Sequence, residues 1–337
     1  MRAFVITGPG EGSVQDVEPP AAAAGQVVVD VERAGVCGTD AEFYAGTMSY
    51  LRTGEAAYPV RIGHEWCGTV SAAGAGVDPA WLGRRVTGDT MLGCGRCARC
   101  RGGRQHVCGE RFEIGVRRGW PGALAEQVAV PVTALHQLPD LVDATLGALV
   151  EPAGSALRAV QAAALAPGDR VLVLGPGTIG LLAAQFARAA GAGVHLLGLT
   201  DASLAFARSI GFTSAWRARD LPAGTYDAVI DASTGPDLPA LALDLAEPGK
   251  RVVYIGLAST ESLIDTRALV LRDLTAAGIL SASPGLAETI RLFAAGVVDP
   301  RPLVAATVAL EQVGPVLAGL RPPGAGGGPK IQVDPRR

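Results

Sequence analysis

Lysine is nearly missing from this sequence. Lys250 and Lys330 are the only two, and arginine supplies the remaining positive charge. There is no cationic excess either, because 29 Lys and Arg face 32 Asp and Glu for a net charge of −3. A nucleic-acid partner calls for a basic footprint, so none is expected. No unbroken apolar run reaches the roughly 20 residues that a membrane helix needs. The most apolar region, 171–199, is interrupted by Gly175-Pro176-Gly177, Gln185 and Arg188. The opening residues, MRAFVITGPGEG, lack an apolar stretch of signal-peptide length. A cytoplasmic protein with no membrane partner is the expectation. Aromatic residues are scarce at 5%, but hydrophobic residues reach 49% against 18% charged, which excludes global disorder. The 45 Gly and 23 Pro follow no three-residue period, which excludes a collagen-like chain. The 337 residues suffice for two or three domains.

Residues 1–150 carry short valine-containing runs broken by Gly and Pro, at 27–31, 68–70, 85–86 and 126–130. These predict strands joined by irregular loops. From about Gln161 the texture changes. Apolar runs at 171–174, 194–199, 226–231 and 251–255 predict buried strands. The stretches that run to 190 and to 210, and the one over 238–246, have helical spacing. Strand–helix alternation of this kind predicts a parallel sheet with helices on both faces. A further helix is expected at 286–295, a flexible Pro/Gly-rich loop over 321–329 and a last strand at 330–333.

Tight cysteine spacing in a cytosolic chain reads as metal binding rather than as disulfides. Cys94, Cys97, Cys100 and Cys108 follow a Cys-x2-Cys-x2-Cys-x7-Cys pattern. Four thiolates so spaced can close a tetrahedron around one zinc ion with no open position. Gly93, Gly95, Gly102 and Gly103 let the backbone fold tightly around it. Four buried free thiols, or an iron–sulfur cluster sharing the first spacings, are the alternatives. Cys67 follows Trp66 in an apolar segment and reads as a packed core thiol. His106, His136 and His195 have no motif around them and read as structural.

Cys37 stands in Gly35-Val36-Cys37-Gly38-Thr39-Asp40, and His64 precedes Glu65 after Gly63. The order continues with the four cysteines, Glu151-Pro152, and a Gly-x-Gly-x-x-Gly run at 175–180. This ordered set resembles the zinc-containing medium-chain dehydrogenases, a group that includes alcohol, sorbitol, threonine and glucose dehydrogenases. The resemblance extends to Pro329-Lys330-Ile331 near the end. It implies an α/β protein, with a Rossmann doubly wound parallel sheet plus a strand-rich GroES-like catalytic domain. Residues 1–150 would form the catalytic domain, with the cysteine lobe at about 93–109. Residues 151–282 would bind the dinucleotide, and 283–337 would return to the catalytic domain.

The resemblance also implies that Cys37, His64 and Glu151 hold a catalytic zinc, giving two zinc ions per chain. One thiolate, one imidazole and one carboxylate leave a fourth position open, as catalysis requires. Glu65 corresponds to a neighbouring carboxylate that can exchange with water at the metal, and Thr39 to the hydroxyl beside the open position. Asp40 is placed to orient His64 through its second ring nitrogen. Two positions depart from the pattern. Glu42 stands where many relatives carry the His that ends a proton relay. Arg158 stands where many carry a His after Glu-Pro.

The run Gly175-Pro176-Gly177-Thr178-Ile179-Gly180 follows an apolar strand and opens a helix, the context in which it binds a dinucleotide. Gly175 makes the turn, Gly177 admits a pyrophosphate, and Gly180 lets helix and strand pack. The helix N-terminus, with Thr178 and Ile179, offers free amides. The next strand should end on an acid for the ribose hydroxyls of NAD, yet that position is Gly198. Thr200 and Ser203 offer only hydroxyls, and no Arg follows at once to grip a 2′-phosphate. Asp201 could serve as a displaced ribose ligand. The balance leans to NADP over NAD. Ser233, in Asp231-Ala232-Ser233-Thr234-Gly235, corresponds to the turn beside the nicotinamide.

The expected protein is therefore a zinc-dependent oxidoreductase that passes a hydride between NAD(P) and a secondary alcohol or ketone. Glu151 as third ligand points, through the resemblance, to a polyol, sugar or cyclitol. An NADPH-dependent ketone reductase and a non-catalytic zinc- and nucleotide-binding protein are the alternatives. A homodimer or homotetramer is expected. The loop 111–121, with Glu113, Arg117, Arg118 and Trp120, is a candidate for substrate contacts.

Overall fold

The computed structural model describes residues 1–258 and 260–337. The N-terminal half is built on strands. The elements used below are β1 (Gln26–Gly35), α1 (Gly38–Ala45), β2 (Glu65–Ala73), β3 (Arg85–Gly88), β4 (Gln127–Pro131) and β5 (Leu135–Gln137). β1 buries Val27, Val29 and Val31 on one side, and Val28 on the other is buried as well. It pairs antiparallel with β2 and with β4.

From α2 (Val150–Ala163) onward the chain alternates. β6 (Arg170–Leu174), α3 (Thr178–Ala189), β7 (Gly193–Leu197), α4 (Asp201–Ser209), β8 (Ala215–Trp216) and β9 (Tyr226–Asp231) follow in order. Next come α5 (Leu238–Leu245), β10 (Ala246–Tyr254), α6 (Thr266–Leu271) and β11 (Thr275–Gly278). The sheet order is β8-β7-β6-β9-β10-β11, with every pair parallel. Counted from β6, that is the 3-2-1-4-5-6 order of a doubly wound dinucleotide fold. Val171, Leu172, Val173 and Leu174 are all fully buried, because helices cover both faces. Each such side chain contributes about 1.5–3 kcal/mol of burial. The predicted parallel sheet is thus present.

The differences lie at strand ends. β7 stops at Leu197, short of the expected 199, and Leu199 is 76% exposed. β10 begins at Ala246, five residues before the expected start, and shifts register between Tyr226 and Ala228 of its neighbour.

The last stretch splits between the two halves. α7 (Leu286–Ala294) buries Leu286, Ile290 and Phe293 in the same apolar cluster as α2 and α3. β12 (Val304–Val308) and β13 (Lys330–Val333) instead join the N-terminal sheet, whose order is β5-β3-β2-β1-β13-β12. β13 thereby brings Lys330 back across the whole chain to the ends of β1 and β2.

Candidate active site

Cys37 ends the loop after β1 and is the N-cap of α1. Its backbone N–H donates to Asp40 Oδ2 at 2.9 Å, so the helix start fixes the thiol. Gly63 is held nearby by a second bond, from its N–H to Asp40 Oδ1 at 3.2 Å. His64 and Glu65 follow at once, with Glu65 opening β2. A Cys37 sulfur, a His64 ring nitrogen and a Glu65 oxygen lie within 4.8 Å of one another.

Two expectations need correction here. Asp40 was expected to orient the His64 ring, but its Oδ1 stands 3.8 Å from Nδ1, beyond hydrogen-bond reach. Its hydrogen bonds go to the two backbone amides instead, so it brackets the loops that carry the ligands. Glu65 was expected to be free to exchange at the metal. Both of its oxygens are clamped by Lys330 Nζ, at 2.8 and 2.7 Å, with the pair 3% and 1% exposed. That lysine also donates to the Val36 carbonyl at 2.9 Å. Its rarity in the sequence was the one available sign of a special role.

Glu151 sits in the first turn of α2, buried and outside the compact Cys37–His64–Glu65 group. It accepts no hydrogen bond and forms no ion pair among the described residues, unlike Glu65. Burial pushes its pKa up to about 7, against the favourable field of His64. Burial likewise opposes charge on His64, yet Cys37, Asp40 and Glu151 outweigh it and hold that pKa well above the ordinary imidazole value. His64 Nδ1 has no hydrogen-bond partner. The Cys37 thiol and the His64 ring lie together, and the uncompensated Glu151 carboxylate acts on His64 from α2; thiol, imidazole and carboxylate are a donor set that fits a zinc ion. Thr39 is half-buried in the first turn of α1. Glu42 lies one turn further on, and burial raises its pKa.

The second cysteine set is compact. The sulfurs of Cys94, Cys97, Cys100 and Cys108 all lie within 4.8 Å of one another. Cys97 and Cys108 are 3.9 Å apart, and Cys94 and Cys100 are 4.0 Å apart. Four sulfurs bound at about 2.3 Å to one ion should be separated by about 3.8 Å. The geometry therefore fits one tetrahedral ion better than a cluster, which needs wider spacing. Backbone amides of Arg96 and Cys97 push Cys94 down to about 6, toward its thiolate form. Cys67 is buried elsewhere, and its burial raises its pKa.

A buried residue that the sequence reading missed joins this lobe to the rest. Asp89 accepts from Gln105 Nε2 at 2.9 Å and from Ser283 Oγ at 2.7 Å. Its neighbour Thr90 donates to the His64 carbonyl at 3.2 Å. Arg158 donates to the carbonyls of Leu280 and Ser281, tying α2 to the segment after β11. The loop 111–121 is largely occupied by its own contacts. Glu113 takes Arg111 and Tyr50, Arg117 takes Glu55, and Trp120 donates to the Ala129 carbonyl. Phe112, Arg118, Gly119, Trp120 and Pro121 of this loop also line a cavity.

The glycine turn lies at the carboxyl ends of β6 and β9, where the sheet order reverses. Gly175 has φ +89°. A Cβ on Gly180 would lie 1.9 Å from the Gly175 carbonyl oxygen, so only glycine fits. Ser233 is close by, and its hydroxyl and backbone N–H both donate to Asp231 Oδ1. Gly198 follows β7 as expected. A Cβ there would lie 2.8 Å from Pro176 and 2.9 Å from Leu204, so an acid would have to displace its neighbours.

Comparisons with known proteins agree with this geometry. The family descriptions "Alcohol dehydrogenase GroES-like domain" and "Zinc-binding dehydrogenase" match residues 23–140 and 178–295. The L-threonine 3-dehydrogenase of Saccharopolyspora erythraea is 33% identical over 291 residues, covering 83% of each chain. An alcohol dehydrogenase from Escherichia coli CFT073, solved with NADH, superposes with a TM-score of 0.90 at 26% identity over 99% of both chains. A zinc-binding dehydrogenase from Sinorhizobium meliloti 1021, solved with NADP, gives 0.88 at 29% identity over 99% of both. With its paired cysteine sites, its glycine turn and these relatives, the chain belongs to the zinc-containing medium-chain dehydrogenase/reductase family.

Proposed function

We propose that this zinc-dependent oxidoreductase of alcohols acts on a secondary alcohol of a polyol, sugar or cyclitol. The observation that carries the reading is the buried, uncompensated Glu151 carboxylate, whose charge acts on His64. Cys37, His64 and Glu151 would hold the metal, with Glu65 in reserve behind Lys330. The relatives named for dehydrogenation of L-threonine at carbon 3 also oxidise a secondary alcohol. Zinc would supply Lewis acidity to the alcohol oxygen, and the nicotinamide would accept the hydride.

The chain's own residues orient the substrate and move its proton. The Thr39 hydroxyl can accept a proton and donate one onward. Glu42, one helical turn away, receives it. Burial raises the Glu42 pKa, so its accepting, ionised form is lost at a higher pH than for a surface carboxylate. Oxidation should therefore slow as pH falls through that raised value. In Glu42→Gln this acid limb should disappear from the pH–rate profile; an unchanged limb assigns it to another group.

A cytoplasmic setting is part of this proposal, supported by cysteine spacing that suits metal sites rather than disulfides. No helix among the described residues is long and apolar enough to cross a membrane. A homodimer or homotetramer is supported by exposed Val270 and Leu271 on α6, beside the edge strand β11. The test is a panel of polyols, sugars and amino-cyclitols with NAD and with NADP. Turnover should appear on one class, vanish on chelation and return with zinc. The same preparation should carry two zinc ions per chain and exceed the monomer mass by light scattering. Zinc binding without any turnover would favour a non-catalytic role.

A further inference from the structure

The Pro/Gly-rich stretch before β13 does not hang free. It folds back over α4 and borders an open cavity of about 460 Å³. Pro176, Thr200 and Ser203 form one wall, and Arg321, Gly326 and Gly327 form part of the other. Pro176 belongs to the glycine turn, and Thr200 and Ser203 follow the end of β7. In a doubly wound fold this is where the adenosine ribose of a dinucleotide lies.

The cavity has the wrong chemistry for a bare ribose diol. The position for an acid is Gly198, which Pro176 and Leu204 crowd. The nearest carboxylate, Asp201, is exposed and paired with Arg217 at 2.9 Å. Among the described residues, the only charged one lining the cavity is Arg321. Its Nη2 donates to the Gly326 and Gly328 carbonyls, which fixes the side chain on its own loop. Its Nε and Nη1 make no hydrogen bond among the described residues. The loop itself is braced, since a Cβ on Gly327 would lie 2.9 Å from the Phe206 ring.

We propose that Arg321, with the hydroxyls of Thr200 and Ser203, holds the 2′-phosphate of NADP. The C-terminal stretch, more than a hundred residues away in sequence, would then set cofactor choice. This rests on the dinucleotide reading given above. A guanidinium matches a phosphate in both charge and geometry. The Thr200 hydroxyl donates to Ser203 Oγ at 2.8 Å and the Ser203 hydroxyl to the Thr200 carbonyl at 3.0 Å, so each would turn from that bond to donate to the remaining phosphate oxygens.

The test is calorimetric titration of the purified protein with 2′,5′-ADP and with 5′-AMP, with no turnover involved. The unaltered chain should bind 2′,5′-ADP about 10- to 100-fold more tightly than 5′-AMP, the range expected of charge-assisted hydrogen bonds. Arg321→Gln should bring the two affinities together while leaving 5′-AMP binding unchanged, which also reports that the variant is folded. Arg321→Lys should restore part of the preference, and Thr200→Val with Ser203→Ala should weaken it in part. Equal affinities in the unaltered chain, or a preference that survives Arg321→Gln, overturns the proposal while the dinucleotide reading stands. Failure to bind either nucleotide overturns both.

Discussion

Replacing Cys37 by Ser is expected to give a folded protein with one zinc ion in place of two and kcat/KM lower by about 10³-fold or more. Cys37 is the N-cap of α1, and serine is a better N-cap than cysteine, so the helix start should survive. What serine cannot supply near neutral pH is an anionic ligand. Lewis-acid assistance lowers the barrier by several kcal/mol, and each 1.36 kcal/mol is tenfold in rate. Glu151→Gln should behave similarly, since it keeps the packing and removes only the charge.

Glu65→Gln supplies the contrast. It strands the Lys330 ammonium in a site where that residue is 3% exposed. Breaking a buried ion pair in this way costs about 3–5 kcal/mol. Its signature is therefore lost thermal stability ahead of lost metal. Zinc content and melting temperature measured on all three variants separate the roles. If Glu65→Gln loses the open-site zinc and Glu151→Gln keeps it, the two carboxylates exchange parts.

Much of this architecture is legible because its signals are local. The glycine turn declares itself within six residues, and the apolar run before it makes a strand wherever it is buried on both faces. The four cysteines of the lobe are likewise neighbours in sequence. The remainder depends on contacts that no local pattern encodes. Lys330 meets Glu65 across 265 residues, and Ser283 meets Asp89 across 194. Arg321 faces Thr200 only because β13 returns to the N-terminal sheet and carries the preceding loop over α4. The absence of an acid at Gly198 was visible, but its cause was not: Pro176 occupies the space. The loop 111–121 also makes contacts that its own sequence does not show. Its charges are dense enough to suggest a partner molecule, and the fold satisfies them internally.

Replacing Cys97 by Ser is expected to unfold the lobe while much of the molecule stays native. Within 93–109 only His106 and Cys108 are buried, so the lobe has almost no apolar core. Its α-helix, Ala98–Arg101, and its 3-10 helix, Gln105–Val107, are single turns that could not persist alone. The ion must therefore be the core, and structural zinc supplies about 10–16 kcal/mol in peptides of comparable size. Four exposed arginines, Arg96, Arg99, Arg101 and Arg104, stand in this segment. In the closed lobe Arg99 is tied to the Val107 carbonyl and Arg101 to that of Arg96. Trypsin cuts in proportion to the opened population when opening is fast. Cleavage inside 96–104 should thus accelerate at least about tenfold in Cys97→Ser, with the parallel sheet still protected from hydrogen exchange. Turnover should fall less than in Cys37→Ser. The disturbance reaches His64 only indirectly, from Gln105 to Asp89 and then through Thr90 to the His64 carbonyl. A lobe that resists trypsin equally well in both proteins would mean that the thiols pack without an ion, and that the second zinc contributes nothing to the fold.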